Sequence, residues 1–339
     1  MKALVIRKPL EGAVEHVEDP GPGPGEVVVA TKACGVCGTD IHIFRGEEPR
    51  ASFPVIPGHE ISGVVVEIGE GVEGFSVGDH VAIDPNIACG KCYYCRMGSR
   101  HFCENWEGIG VTRPGGFAEK VVAPVSQVYK VPGNIPFERA ALTEPLSCIL
   151  HGLDAVKPLK GSEKIAIFGA GPIGLMFLAL LRKMTAADIA VFEVQPQRAK
   201  KAVEFKADAV EDPTKVDLYK FTQEFTGGRG FNVIIDATGN LDAISRILRL
   251  DIAAPQAKIL LFGVAPAGKK VEVEPYMVFR KEITIVGTII NPYTVQRAVE
   301  LLNKLPELDT IIDKISLEEA LNILRGTSKK SYLKPMVVF

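Results

Sequence analysis

Residues 164–174 read KIAIFGAGPIG, a short apolar run that passes directly into a glycine turn. The run predicts a buried strand, and the apolar stretch after it, Pro172–Met184, predicts a helix. Glycines at this spacing permit a tight turn and a close approach of the backbone to a pyrophosphate, which the free N–H groups of the following helix can bind. The motif predicts a dinucleotide-binding unit, with an ordinary tight turn as the alternative. Its candidate cofactor-binding residues are Gly169, Gly171, Pro172, Ile173 and Gly174.

A carboxylate stands at the end of the next predicted strand. Glu193 lies nineteen residues beyond Gly174, where a carboxylate can accept hydrogen bonds from both ribose hydroxyls and repel a 2′-phosphate. We therefore expect NAD rather than NADP, unless Glu193 is only a solvated strand end. Arg198, in the following predicted helix, either stacks on the adenine or lies on the helix surface.

Strand and helix patterns alternate from about residue 149 onward. Such repeated units need crossovers, so they predict a parallel, doubly wound sheet. Before residue 145, short β-branched runs alternate with turns rich in Gly and Pro, which predicts a β-rich, barrel-like domain. The tail after residue 287 either extends the nucleotide domain or returns to the first one. The predicted strands here are 164–168, 188–193, 231–236, 258–262, 283–286, 311–315 and 333–338, and the predicted helices are 172–184, 196–206, 241–250, 294–304 and 317–325.

Length and charge exclude several classes of partner. A chain of 339 residues is long enough for about two domains. Its 39 basic and 41 acidic side chains leave a formal net charge of −2, so no general attraction to nucleic acid or to an anionic membrane is expected. The longest apolar run, 173–181, is far shorter than the roughly 20 residues that span a bilayer, and the N-terminus lacks a signal-peptide pattern. We expect a cytoplasmic protein whose partner is a small molecule.

Four of the seven cysteines lie within fifteen residues, in the segment CGKCYYCRMGSRHFC. In a reducing cytoplasm this clustering favours a metal site over disulfides. Four thiolates on a short loop can surround a zinc ion and leave no open position, which is typical of a structural site. An iron–sulfur cluster would use the same ligands, but the spacing and the absence of other redox motifs favour zinc. The predicted ligands, in a lobe of about residues 86–106, are Cys89, Cys92, Cys95 and Cys103.

A second group of metal-binding residue types precedes this lobe. Cys37 begins the segment CGTDIH, and His59 and Glu60 end the segment GHE. A lone cysteine or histidine is more often a packed core residue than a ligand. Here a thiol, an imidazole and a carboxylate lie beside glycine turns, upstream of a nucleotide fold and a zinc lobe, and this combination favours a second, open zinc site.

These motifs together resemble the zinc-dependent medium-chain alcohol dehydrogenases over essentially the whole chain. The resemblance rests on CGTD at 37–40, GHE at 58–60, the four-cysteine lobe and GAGPIG at 169–174, in that order. Within that superfamily, AALTEPLSC at 140–148 resembles the polyol and sorbitol dehydrogenase branch.

The resemblance implies an α/β fold class with two domains. A GroES-like, β-rich catalytic domain would comprise residues 1–147 and 287–339. A Rossmann nucleotide-binding domain, formed by the doubly wound parallel sheet, would comprise residues 148–286. The tail would then return to the catalytic domain, and the active site would lie in the cleft between the two.

The resemblance also implies roles for single residues of the catalytic site. Cys37 and His59 match zinc ligands, and Glu60 matches a residue that is a ligand or moves in and out of coordination. Glu144 matches the place of a further protein ligand, here as a carboxylate that binds zinc directly or through water. Thr39 and His42 would carry the proton from the substrate hydroxyl to solvent, with a surface histidine as the less favoured interpretation of His42.

The remaining candidates surround these two sites. By resemblance, Thr238, Gly263 and Val264 follow strands where the family binds the nicotinamide part of the cofactor, or they are ordinary loop residues. Asp40 is expected to orient His59 or its own loop. Cys34 and Cys148 are expected to be packing residues rather than ligands.

The implied function is a zinc- and NAD-dependent oxidoreductase with two Zn²⁺ per chain, acting on a secondary alcohol of a polyol, sugar alcohol or sugar acid. Residues 289–293 differ from the corresponding stretch of sorbitol dehydrogenases, which argues against sorbitol itself. L-threonine 3-dehydrogenase activity is an alternative, and a non-catalytic, zinc-stabilised NAD-binding protein is an alternative of another class. The cysteine sites oppose a zinc-free quinone reductase. A homodimer or homotetramer is expected by resemblance.

Overall fold

A computed structural model describes residues 1–339, which divide into two units. The first comprises Met1–Cys148 and Ile290–Phe339, and the second comprises Ile149–Ile289. No helix is both long and apolar enough to cross a membrane. The strands are β1 (Lys2–Lys8), β2 (Glu11–His16), β3 (Glu26–Gly35), β4 (Glu60–Ile68), β5 (His80–Ile83), β6 (Asn86–Ile87), β7 (Glu107–Gly108), β8 (Lys120–Pro124), β9 (Val128–Lys130), β10 (Lys164–Phe168), β11 (Asp188–Phe192), β12 (Ala209–Glu211), β13 (Phe231–Asp236), β14 (Ala253–Leu261), β15 (Thr284–Gly287), β16 (Ile312–Ile315) and β17 (Lys334–Val338).

The helices connect these strands or cover the sheets. Short 3₁₀ turns lie at Arg100–Phe102, Val125–Gln127, Leu302–Lys304 and Pro306–Ile311. The α-helices are α1 (Gly38–Arg45), α2 (Tyr93–Arg96), α3 (Phe137–Ala141), α4 (Thr143–Ala155), α5 (Pro172–Met184), α6 (Pro196–Glu204), α7 (Leu218–Thr226), α8 (Leu241–Leu248), α9 (Pro275–Lys281), α10 (Val295–Leu301) and α11 (Leu317–Arg325).

The second unit contains a six-stranded parallel sheet in the order β12-β11-β10-β13-β14-β15. The order reverses beside β10, so the chain winds outward in both directions from this central strand, and the predicted doubly wound fold is confirmed. The side chains of β10 from Ile165 to Phe168 are buried. Phe168 stacks on Phe192 of the neighbouring strand at a ring distance of 4.6 Å, which places large apolar rings in the core.

Two predicted helices end earlier than their apolar pattern suggests. The predictions 196–206 and 241–250 correspond to α6 and α8, which end at Glu204 and Leu248. Lys206 and Leu250 adopt positive φ angles of 65° and 64°. Because a left-handed residue cannot continue a right-handed helix, the chain turns away at both places.

The first unit is organised by a seven-stranded sheet in the order β16-β17-β3-β4-β5-β9, with β8 also paired to β3. The last strand of the chain, β17, runs antiparallel to β3 and places Met336 opposite Gly35. The tail therefore pairs with the β-rich unit. The hairpin of β1 and β2 and the helices α1 and α7 were absent from the sequence predictions.

The glycine turn after β10 is packed so closely that one of its glycines has no space for a side chain. A Cβ on Gly174 would lie 1.9 Å from the carbonyl oxygen of Gly169, which itself has a φ of 97°. At Gly171, by contrast, the nearest atom to a Cβ would be Arg198 Nη1, at 3.8 Å, and the φ of −68° suits any residue. The first helical turn of α5 is thus held against the turn by backbone contact.

These contacts predict that alanine substitutions at Gly174 and at Gly171 have different effects on stability. Gly174→Ala should lower the free energy of unfolding by about 1–3 kcal/mol, because the new methyl group must displace backbone atoms. Gly171→Ala, the matched control, should leave stability nearly unchanged. Urea unfolding followed by circular dichroism measures both variants, and equal losses in the two would contradict the packing described here.

Candidate active site

Asp40 connects the two loops that bear Cys37 and His59. Its buried carboxylate lies in the first turn of α1, where Oδ2 accepts a hydrogen bond from the backbone N–H of Cys37 at 2.8 Å. Oδ1 accepts from the backbone N–H of Gly58 at 3.1 Å and lies 3.3 Å from His59 Nδ1. One carboxylate therefore fixes both loops, consistent with the orienting role expected for Asp40.

Cys37, His59 and Glu60 come together although two separate segments of the chain carry them. One donor atom from each lies within 4.8 Å of the others. His59 and Glu60 are buried, and His59 Nδ1 makes no hydrogen bond. A thiolate, an imidazole and a carboxylate are ligands that suit zinc, and three protein ligands leave a position open. The residues present thus fit a catalytic zinc ion.

The charges around His59 favour a cation at this place. Burial alone would lower the pKa of His59, but the Asp40 carboxylate and the Cys37 thiolate outweigh it and raise that pKa well above its usual value. The same negative groups would attract a metal cation.

Glu144 lies in the first turn of α4 and is buried. Burial raises its pKa to about 7, although the positive charge of His59 opposes the rise. The Cys148 thiol, one helical turn later, donates a hydrogen bond to Glu144 Oε1 at 3.3 Å. Glu144 does not belong to the three-residue donor group, so its role as a zinc ligand stays a prediction. Cys148 is half-buried and Cys34 fully buried.

Lys334 is a site residue that the sequence analysis missed. It begins β17, and its buried ammonium donates to Glu60 Oε1 at 2.6 Å and to the carbonyl of Val36 at 3.2 Å. Burial opposes its charge, but Glu60 outweighs this effect and raises the pKa of Lys334. Gly35 makes room for the carboxylate, since a Cβ there would lie 1.8 Å from Glu60 Oε2. Because 274 residues separate Lys334 from Glu60, no local pattern could reveal the pair.

The two candidates for proton transfer differ in exposure. Thr39 is half-buried, and its hydroxyl lies 3.8 Å from Cys37 Sγ. His42 is exposed and its Nδ1 lies 2.7 Å from Glu47 Oε2. The helix α1 thus places a hydroxyl beside the donor group and an imidazole at the surface.

The four-cysteine lobe lies between β6 and β7. The Sγ atoms of its cysteines all lie within 4.8 Å of one another, and those of Cys92 and Cys103 are 3.9 Å apart. Zinc–sulfur bonds of about 2.3 Å in a tetrahedron give sulfur–sulfur distances of about 3.8 Å. Backbone N–H groups of Lys91 and Cys92 lower the pKa of Cys89 to about 6, which favours the thiolate form that binds metal. The lobe fits a closed, structural zinc ion.

Glu193 lies directly after β11 and is buried against the glycine turn. Its Oε2 accepts from the backbone N–H of Ala170 at 2.7 Å, and its Oε1 accepts from that of Gln195 at 2.8 Å. Arg198 is half-buried, with its guanidinium near Gly171. The carboxylate and the guanidinium therefore both lie beside the turn that the sequence predicts to bind a pyrophosphate.

The remaining cofactor candidates lie at the ends of β13 and β14. Thr238 is held by Asp236, a buried carboxylate that accepts from the Thr238 backbone N–H at 3.0 Å and from its hydroxyl at 2.5 Å. The sequence analysis missed Asp236, whose position at the end of an apolar strand was an available signal. Gly263 packs on the backbone of Gly239. Val264 is 83% exposed.

Two family models match the chain. One described as alcohol dehydrogenase GroES-like domain matches residues 23–133, and one described as zinc-binding dehydrogenase matches residues 172–304. An L-threonine 3-dehydrogenase of Pyrococcus abyssi is 38% identical over 293 residues, or 85% of this chain and 82% of that protein. D-arabinitol dehydrogenase 1 of Uromyces fabae is 34% identical and covers 95% of this chain and 96% of its own length.

A solved structure extends the similarity to the whole chain. It is of a protein from Sinorhizobium meliloti described as a zinc-binding dehydrogenase and bound to NADP. The TM-score is 0.94 at 33% sequence identity, over 100% of this chain and 99% of that one.

The buried pair of Lys334 and Glu60 predicts a large loss of stability when one partner is removed. In the metal-free protein, Lys334→Met should lower the free energy of unfolding by about 3–5 kcal/mol, because it leaves a buried carboxylate without its cation. The double variant Lys334→Met/Glu60→Gln should recover most of this loss.

The control for this prediction is an ion pair at the surface. Lys314→Met removes a pair with Glu138 in which the lysine is 64% exposed, and it should change stability by less than about 1 kcal/mol. Urea unfolding measures all three variants. If the double variant is no more stable than Lys334→Met, the loss does not come from the unpaired charge.

Proposed function

Because this chain belongs to the zinc-dependent medium-chain alcohol dehydrogenase superfamily, we propose that it oxidises a secondary alcohol of a polyhydroxylated small molecule, or reduces the matching ketone, with NAD as its cofactor. The proposal includes two zinc ions per chain, one held by the four-cysteine lobe and one at the open site. The chain matches a zinc-binding dehydrogenase model and is similar to relatives named as dehydrogenases, so hydride transfer is the reaction class.

The observation that carries the proposal is the cluster of Cys37, His59 and Glu60 within 4.8 Å. A closed site needs a fourth protein ligand in that cluster, and Glu144 lies outside it. A three-ligand site can accept a substrate oxygen in the open position. The contrast with the four-thiolate lobe supports a catalytic role for one site and a structural role for the other.

The chain's own residues supply binding and proton transfer. When bound, zinc would lower the pKa of a substrate hydroxyl, and the nicotinamide would accept a hydride from the carbon that bears this hydroxyl. Cys37, His59 and Glu60 hold the metal, with Asp40 fixing the loops of the first two. The hydroxyl of Thr39 accepts the proton of the substrate hydroxyl as it releases its own, and His42, on the exposed face of α1, passes a proton to solvent.

A polyhydroxylated substrate is supported by the arabinitol dehydrogenase relative, which matches nearly the full length of both chains. L-threonine is the second candidate, because the relative with 38% identity is named as a threonine dehydrogenase. A site that hydrogen-bonds several hydroxyls discriminates strongly against substrates that lack them, so the two candidates are separable by kcat/KM.

Preference for NAD over NADP is supported by the buried carboxylate of Glu193 beside the glycine turn. A 2′-phosphate near this group would meet a negative charge. The Sinorhizobium relative was solved with NADP, which makes the preference a point to be tested in this chain.

Turnover and metal content test the function together. The purified protein should contain about two zinc ions per chain and reduce NAD with at least one member of a panel of polyols, sugar acids and L-threonine. Cys37→Ser should abolish turnover and lower the zinc content by one ion while NAD binding persists. Cys34→Ala, a buried cysteine outside the donor group, should keep both ions. A folded Cys37→Ser protein that retains two ions contradicts the assignment.

The cofactor preference predicts a difference between two substitutions of Glu193. Glu193→Ala should weaken NAD binding and relax discrimination against NADP, since it removes both the charge and the acceptor atoms. Glu193→Gln keeps an acceptor for the Ala170 N–H and should relax discrimination with a smaller loss of NAD affinity. Titration with each cofactor, followed by calorimetry, measures both, and an unchanged preference in the two variants would refute the ribose role.

We also propose a homodimer or homotetramer built on the edge of the parallel sheet. The edge strand β15 exposes Ile285, and the preceding helix exposes Tyr276 and Phe279, at 62% and 79%. Phe279→Asp should reduce the mass measured by light scattering to that of a smaller assembly. Tyr219→Asp, at a 52% exposed position on α7, is the control and should leave the mass unchanged. An unaltered mass in Phe279→Asp would remove this interface.

A further inference from the structure

A buried network of polar side chains lies in the first unit. Asn86 Nδ2 donates to Asn291 Oδ1 at 2.8 Å, and Asn291 Nδ2 donates to Ser147 Oγ at 2.8 Å. Asp84 Oδ1 accepts from the backbone N–H of Asn86 at 3.0 Å and from its amide at 3.2 Å. All four residues are buried. The proposed reaction assigns none of them a task.

One end of this network belongs to the four-cysteine lobe. Asn86 lies in β6, which pairs with β7 and thereby closes the base of the lobe. Trp106, just before β7, donates from Nε1 to Asn86 Oδ1 at 3.2 Å. Arg100, between two of the lobe cysteines, donates to the Asn86 carbonyl at 3.3 Å. Two separate side chains of the lobe therefore contact one asparagine.

The other end belongs to the helical turn that carries Glu144. Ser147 Oγ receives the Asn291 amide and donates to the carbonyl of Glu144 at 2.6 Å. The hydroxyl of Thr294 donates to the carbonyl of Ser147 at 2.8 Å. The same turn bears Cys148, whose thiol contacts the Glu144 carboxylate. Asn291 and Thr294 thus hold this turn of α4 from one side.

The segment that contains Asn291 is strained. Ile290 and Tyr293 have φ angles of 46° and 60°, a region that costs energy for residues with large side chains. The Tyr293 ring lies 5.6 Å from the guanidinium carbon of Arg100. A strained segment persists only where surrounding contacts hold it, and here the contacts come from the lobe on one side and from α4 on the other.

We propose that Asn86, Asn291 and Ser147 form a positioning relay, through which the metal-loaded lobe sets the geometry of the turn that carries Glu144. Metal binding fixes the lobe, and the lobe fixes Asn86 through Trp106 and Arg100. Asn291, which is hydrogen-bonded to Asn86, then fixes the position of Ser147. The consequence for catalysis rests on the proposed function, because it assumes that Glu144 acts at the catalytic site.

Amide hydrogen exchange tests the relay without any turnover. Asn291→Leu keeps the size of the side chain and removes all its hydrogen bonds, so it should accelerate exchange in residues 143–150 by about tenfold. The lobe variant Cys95→Ser should do the same in the wild-type background and add less than about twofold in the Asn291→Leu background. Peptides from α11 should not change in Asn291→Leu, in Cys95→Ser or in the double variant.

Two further variants serve as a control and as a substitute for the lobe variant. Asn322→Leu removes a side-chain hydrogen bond to Glu319 of 3.0 Å on α11 and should leave exchange in 143–150 unchanged. If Cys95→Ser does not fold, Arg100→Met replaces it, because it keeps all four thiols and removes the contact with Asn86. The relay is overturned if Asn291→Leu and the lobe variant raise the exchange rate independently, so that their effects multiply in the double variant. It is also overturned if the lobe variant leaves the exchange rate in residues 143–150 unchanged.

Kinetics then separates the relay from the proposed function. With an active substrate, Asn291→Leu should lower kcat by about tenfold and leave the KM for NAD unchanged. If the two substitutions are coupled in hydrogen exchange but the wild-type protein turns over no substrate of the panel, the function is refuted and the relay is supported. Normal turnover with uncoupled exchange refutes the relay and leaves the function standing.

Discussion

The ion pair between Lys334 and Glu60 is the constraint on which the first unit depends. A carboxylate buried beside a thiol and an imidazole needs a cation near it, and the chain supplies one from its last strand. The lysine can reach Glu60 only if β17 lies next to β3, and the carboxylate fits only because Gly35 has no side chain. Neutralisation of the Glu60 carboxylate therefore requires that the C-terminal strand pairs with β3.

The four-cysteine lobe and the group of Cys37, His59 and Glu60 differ in the type of donor atom and in the number of donors. The lobe offers four sulfur donors on a single short loop, so a tetrahedral ion bound there would have all its ligands from the protein. The site around Cys37 takes its donors from two loops that Asp40 fixes in place. The protein supplies three close donors there, so a tetrahedral ion bound by them would keep one position open.

Local patterns predicted the nucleotide-binding unit well because each strand and helix carries its own signal. The strand Lys164–Phe168 and the helix Pro172–Met184 have the predicted bounds, since an apolar run and a glycine turn delimit them. The short edge strand β12 was missed, because its residues are only half-buried and show no apolar run. Helix ends were overestimated where a left-handed residue, such as Leu250, turns the chain without any glycine to mark the place.

The sequence by itself determined the family, the glycine turn and both sets of cysteine-containing motifs, because these depend on residue types at short, fixed spacings. Only the tertiary structure decided that Lys334 neutralises Glu60, that Asn291 joins Asn86 to Ser147, and that Glu144 lies outside the close donor group. These contacts join residues that lie far apart along the chain. Strand pairing and burial bring such residues together, and neither leaves a local pattern in the sequence.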